Sequence, residues 1–67
     1  MTHYKIENGS KWRHVKTDGI YVIVTECKLE NDDVAAVAYR SIIEENDIVW
    51  VRPKEQFLDG RFERYYK

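Results

Sequence analysis

Three features of the chain predict a mainly β domain of five short strands. Runs rich in β-branched and aromatic residues recur at strand length. Turn signals such as Asn8-Gly9-Ser10, Asp18-Gly19 and Asp59-Gly60 separate them. No segment has the length and period of a substantial helix; one short 3₁₀ turn is expected before the last strand. Twisted strands in this number, with a hairpin pair and a late 3₁₀ turn, describe a small five-stranded SH3-like barrel. An OB-type barrel is the neighbouring option but usually needs more than the 67 residues present. The expected organisation is an N-terminal arm over residues 1–10 and a single barrel domain over residues 11–67.

The elements follow in order. Trp12-Arg13-His14-Val15-Lys16 alternates large and polar groups over strand length, and Thr17-Asp18-Gly19 turns the chain. Ile20 to Lys28 is the strongest strand, apolar on both faces through Val24 and polar only beyond it. Leu29 to Asp33 is a polar connection of hairpin length. Val34 to Arg40 could be helical by its alanines, but its short length and valines favour a strand, with Ser41-Ile42-Ile43 extending it. Glu44 to Asp47 then turns into Ile48-Val49-Trp50-Val51-Arg52-Pro53, which reads as a buried strand. Proline lacks an N–H to donate and biases the residue before it to extended backbone, so Arg52 is the expected end. Lys54 to Leu58 has room for one helical turn, with proline and an acid at its start. Arg61 to Tyr66 closes the fold as the last strand.

Composition narrows the setting. The length is near the lower limit at which a chain buries a core unaided. No run approaches a membrane span, the first residues lack the apolar core of a signal peptide, and Cys27 is the only cysteine. These features lead to an expectation of a cytoplasmic protein with no membrane association. The net charge is −1, distributed as +3 over residues 1–16, −6 over 17–47 and +2 over 48–67. A near-neutral total argues against strong non-specific DNA binding, which requires several neutralised phosphates.

The order of the blocks resembles a family of small bacterial and phage domains of unknown function. Its signature is roughly Tyr-Arg-His-x-Lys-Gly, a Tyr-x-Val strand, Val-x-Tyr-Arg, Leu-Trp-Val-Arg-Pro, Met-Phe and a closing Arg-Phe. Here Trp12-Arg13-His14-Val15-Lys16, Tyr21-Val22-Ile23, Ala38-Tyr39-Arg40, Val49-Trp50-Val51-Arg52-Pro53, Gln56-Phe57 and Arg61-Phe62 stand for those blocks. The match covers about residues 11–64. Tryptophan replaces the first tyrosine, glutamine replaces methionine, and acids occupy the turn before Trp50. The resemblance implies an SH3-like β-barrel and no known activity.

The residue types that carry catalysis are sparse. His3 and His14 are the only histidines, and no set of positions has zinc-ligand spacing, so no metal or cofactor is expected. Asp32-Asp33 and Glu44-Glu45 are adjacent pairs whose side chains diverge on extended backbone, as solvated turn acids do. The three glycines, Gly9, Gly19 and Gly60, are too scattered for a phosphate loop. Aromatic and arginine residues are the more informative set. They bury area, donate hydrogen bonds, and grip anions in a planar fork. Tyr21, Phe57 and Phe62 read as core fillers. Trp12, Arg13, His14, Tyr39, Arg40, Trp50 and Arg52 read as the candidate binding surface.

The leading expectation is a non-catalytic binding module for a protein or peptide partner, not an enzyme. Single-stranded nucleic acid is the alternative, with stacking on Trp12, Tyr39 and Trp50 and phosphates on Arg13, Arg40 and Arg52; it predicts a steep salt dependence. An enzyme acting on a small anionic substrate, with His14 carrying the proton, is the third. A homodimer is also expected, because the apolar edges of so small a sheet need cover.

Overall fold

The structure is a computed structural model and describes residues 6–30, 33–44 and 47–66. Five strands form it, β1 (Lys11–His14), β2 (Ile20–Leu29), β3 (Val34–Ser41), β4 (Trp50–Pro53) and β5 (Phe62–Arg64), with helix α1 (Lys54–Phe57) between the last two. All belong to one antiparallel sheet of order β4-β3-β2-β1-β5. The mainly β expectation holds. The two outer strands, β4 and β5, are not paired with each other, so the sheet is not closed into a barrel.

β2 is long enough to serve two neighbours. Its first half pairs with β1, Trp12 opposite Tyr21, and its whole length runs along β3. The register shifts between Ile23 and Thr25, leaving Val24 as the extra residue of a β-bulge. A bulge bends its strand and exchanges the faces on which later residues lie. The apolar character of both faces stops at Val24, which is exposed, just beyond Val22, the last residue of β2 paired with β1.

The turn after β1 uses Asp18, not Gly19, as its left-handed residue, with φ 65°. Aspartate tolerates that region better than most residues. The Asp18 N–H reaches the His14 carbonyl at 2.7 Å, and the His14 N–H reaches the Gly19 carbonyl at 2.8 Å. Gly19 instead gives room: a Cβ there would lie 3.2 Å from the ring of Tyr21, a tight contact.

β3 ends at Ser41, short of the expected Ile43. The buried Ser41 hydroxyl accepts the N–H groups of Ile43 at 3.2 Å and Glu44 at 3.1 Å, which folds the backbone away from the sheet. Ile42 and Ile43 are thereby exposed. The acid pairs expected in the turns, and His3, fall wholly or partly on residues outside those described.

Two expectations are corrected at the end of the chain. The run Ile48 to Val51 is not a buried strand: the strand begins at Trp50, and Ile48, Val49, Trp50 and Val51 are each 48–52% exposed. For Trp50 and Val51 the cause is position, since among the described residues β4 pairs only with β3. The expected 3₁₀ turn is a single turn of α-helix, closed by the Leu58 N–H on the Lys54 carbonyl at 3.0 Å. The wider α-turn delivers Phe57 to the core, where it is 0% exposed.

The core is aromatic. Trp12, Tyr39, Phe57 and Phe62 pack with Ile6, Ile23 and Val37. Phe57 stacks on Phe62 with centroids 4.3 Å apart, and Trp12 meets Phe57 edge-on at 5.1 Å. Residues 6–10, expected as part of the arm, run against β2. The Gly9 N–H donates to the Ile23 carbonyl at 2.8 Å, and the Ile23 N–H donates to Ser10 at 2.9 Å.

Candidate functional site

Successive side chains on a strand point to opposite faces, so register decides which candidate residues can meet. Trp12, Tyr21 and Tyr39 share the core face, and residues opposite or two apart from them share it too. His14 lies opposite Phe62, Trp50 opposite Tyr39, and Arg52 opposite Val37. The seven candidates therefore split. Trp12, His14, Tyr39, Trp50 and Arg52 lie on the core face, whereas Arg13 (opposite Ile20) and Arg40 (opposite Val22) lie on the other.

Burial divides the first group further. Trp12 is 4% exposed and belongs to the core, its indole N–H held by the Ser10 hydroxyl at 3.0 Å. Tyr39 is 5% exposed, but its ring borders a cleft of about 230 Å³ together with His14, Thr17, Tyr21, Trp50, Arg52 and Phe62. Trp50 is the open wall of that cleft, at 51% exposure. Tyr21 meets Tyr39 edge-on at 5.4 Å and Phe62 at 5.8 Å, so the floor is a continuous aromatic surface.

Two polar groups are fixed at the rim. Arg52 donates from Nε to the Tyr39 hydroxyl at 3.3 Å, and its guanidinium carbon lies 5.6 Å from the Phe62 ring centre. His14 sets its ring edge-on to Phe62 at 4.9 Å, and its Nδ1 accepts the Thr17 backbone N–H at 3.3 Å. A neutral His14 then carries its proton on Nε2. A second hollow of about 490 Å³ adjoins the cleft through His14 and Arg52 and is bordered by Val15, Lys16, Gly60 and Arg61.

Arg13 does not join this site. It bridges β5 and the first turn, donating to Glu63 from Nε at 2.8 Å and to Asp18 from Nη1 at 2.5 Å. Hydrogen bonds to Glu63 first, and to Asp18 second, hold its guanidinium protonated beyond the usual arginine range. Arg40 is exposed on the same outer face.

Arg64 is a further structural arginine, with its guanidinium carbon 5.6 Å from the Trp12 ring and 4.9 Å from that of Tyr66. Its Nε is buried with no hydrogen-bond partner among the described residues, on the border of a separate hollow with Leu58 and Tyr66. Among the described residues, no three histidine, cysteine or acidic side chains gather as metal ligands. None of the helices there is long and apolar enough to cross a membrane.

Sequence reasoning missed Tyr21, Thr17 and Phe62 as cleft residues, and Lys16 and Arg61 as neighbours of the rim. Tyr21 was legible in part, since it is two residues from Ile23 on one face of a strand. Lys16 and Arg61 come from turns, where no periodicity reports direction. Compared with known families, curated proteins and solved structures, the chain matches none.

Proposed function

We propose that this protein is a non-catalytic binding module that takes an extended segment of a protein or peptide into the cleft between Tyr21, Tyr39, Trp50 and Phe62. The observation that carries the reading is Trp50, a half-exposed tryptophan beside an aromatic floor and a positioned arginine. Tryptophan and arginine dominate interface energetics because they desolvate large areas and still donate hydrogen bonds. Among the described residues no strand pairs with the outer side of β4, whose main-chain donors and acceptors an extended peptide can use as an added strand. A strand order β4-β3-β2-β1-β5, a bent β2 and a helical turn before β5 support the SH3-like reading of the fold. The family resemblance supports the same reading. A cytoplasmic setting is part of the proposal and rests on the single cysteine.

The test is an amide NMR titration with extended peptides and, separately, with a mixed single-stranded oligonucleotide at low and moderate salt. Shifts centred on Tyr21, Trp50 and Arg52 with peptide support the module. Shifts with the oligonucleotide alone, vanishing with salt, transfer the assignment to single-stranded nucleic acid.

A second proposal, self-association through β4, has its own observation. Val51 is exposed on the edge strand β4, and Ile42, Ile43, Ile48 and Val49 are exposed in the connection that leads to it; apolar edges of this kind recruit cover. Sedimentation is expected to show a concentration-dependent dimer that Val51→Lys abolishes; a monomer at every concentration refutes it.

A further inference from the structure

We infer that the hollow beside the aromatic cleft is an anion subsite. The ligand is an acidic peptide whose carboxylate follows an aromatic or large apolar side chain at a spacing of two residues. This rests on the cleft being the peptide site proposed above.

The charge around the hollow is one-sided. Lys16, Arg52 and Arg61 border it, and among the described residues no acidic side chain borders either it or the cleft. Arg61 is partly answered by Asp59, its Nε 3.3 Å from Oδ2. Among the described residues, Lys16 and Arg52 have no ion-pair partner. Asp18 and Glu63, the acids of the neighbouring turn and strand, are engaged by Arg13 on the opposite face.

Arg52 is the organising group. Its Nε is spent on Tyr39 and its plane is steadied over Phe62, while its terminal nitrogens have no hydrogen-bond partner among the described residues. A guanidinium held by one edge presents the remaining donors as a fork, a geometry suited to a carboxylate. Since the fork is already ordered, a carboxylate binds it without the side-chain entropy loss that weakens most exposed ion pairs.

The spacing follows from the strand. Trp50 and Arg52 are two residues apart on β4 and share a face. A ligand strand laid along the open edge of β4 repeats that period. Laid parallel to β4, the orientation the proposal takes, it places a ring against Trp50 and, two residues on, a carboxylate against Arg52. Nucleic acid fits less well. Its backbone has no strand-pairing groups for β4, and the clustered cations could neutralise only about three phosphates.

The experiment is a titration of the labelled protein with a short peptide, Gly-Ser-Tyr-Thr-Glu-Ser-Gly. Controls are the same peptide with glutamine for glutamate, and one with tyrosine and glutamate adjacent. The glutamate peptide is expected to bind about tenfold tighter than the glutamine peptide, the usual gain of a charge-assisted hydrogen bond over a neutral one. The adjacent-residue control is expected to bind no better than the glutamine peptide. Lys16 and Arg61 lie in exposed turns, so K16E and R61E together are expected to leave the fold intact and remove the glutamate preference.

Equal binding of the glutamate and glutamine peptides at the cleft would overturn the anion subsite and leave the peptide module standing. Equal binding of the adjacent-residue control would overturn the spacing. No perturbation of Trp50 by any peptide would overturn the module itself, and the subsite with it. An oligonucleotide that competes at the same residues, with a log–log salt slope of about −2, would overturn the peptide assignment.

Discussion

Trp50 and Phe57 provide a contrast that decides whether the cleft is a built surface or an accident of composition. Phe57 is fully buried, touching Trp12, Tyr39 and Phe62. Phe57→Ala removes the burial of one ring and opens a cavity that a core this small cannot fill, at a cost of about 3–5 kcal/mol. A domain of this length has a total stability of only about 3–10 kcal/mol. The variant is therefore expected to lose a large part of its stability, and all of it if the parent lies at the low end of that range. Trp50 keeps about half its surface in water, so Trp50→Ala forfeits a fraction of the area and leaves no enclosed void. At about 25 cal/mol per Å², with part of that area already buried in the unfolded chain, the cost is about 1–2 kcal/mol. Urea denaturation followed by tryptophan emission separates the two. The chain has two tryptophans, so in Trp50→Ala the signal comes from the buried Trp12 alone and is expected to resist iodide quenching. Equal destabilisation by the two substitutions would refute the assignment of Trp50 to the surface. So would a Trp50→Ala protein whose emission remains readily quenched.

Other substitutions test the geometry around the site. Gly60 has φ 106° with open space around it, so Gly60→Ala is expected to cost about 1–3 kcal/mol from backbone strain alone, visible as a lowered urea midpoint with unchanged slope. Ser41→Ala leaves the N–H groups of Ile43 and Glu44 without their acceptor and is expected to cost about 1–2 kcal/mol, with faster hydrogen exchange at those two amides. For Arg13 the sign is that of a cation with a raised pKa. Its contribution is complete below the ordinary arginine value and is lost only as pH rises through the raised one. Between neutral pH and pH about 10, the difference in thermal midpoint between wild type and Arg13→Ala is therefore expected to stay constant, while added salt narrows it.

The strands were legible because β-branched and aromatic runs between turn dipeptides leave few other readings. Partner choice was not. Ile48 to Val51 has the composition of a central strand, and composition carries no record of whether a strand lies inside a sheet or at its edge. Only the order β4-β3-β2-β1-β5 reveals that β4 has, among the described residues, one neighbouring strand, and Ile48 to Val51 lie half in water. The turn after β1 shows the same limit locally. Asp-Gly announces a turn, but the left-handed residue is the aspartate, and the glycine serves to leave room for the Tyr21 ring.

The candidate site follows from parity more than from residue type. In Trp12-Arg13-His14 and Tyr39-Arg40, each arginine sits one position from an aromatic, and strand alternation sends the two to opposite faces. In Trp50-Val51-Arg52 the intervening valine restores them to one face. The arginine that reaches the aromatic cleft is thus the one spaced by two from its ring. The arginines adjacent to theirs lie on the outer face, where Arg13 ties β1 to β5 and to the first turn. A sequence reading that ranks adjacency as proximity selects Arg13 and Arg40. One that respects the pleat selects Arg52, and with it Tyr21, which shares its face with Ile23 across the same core.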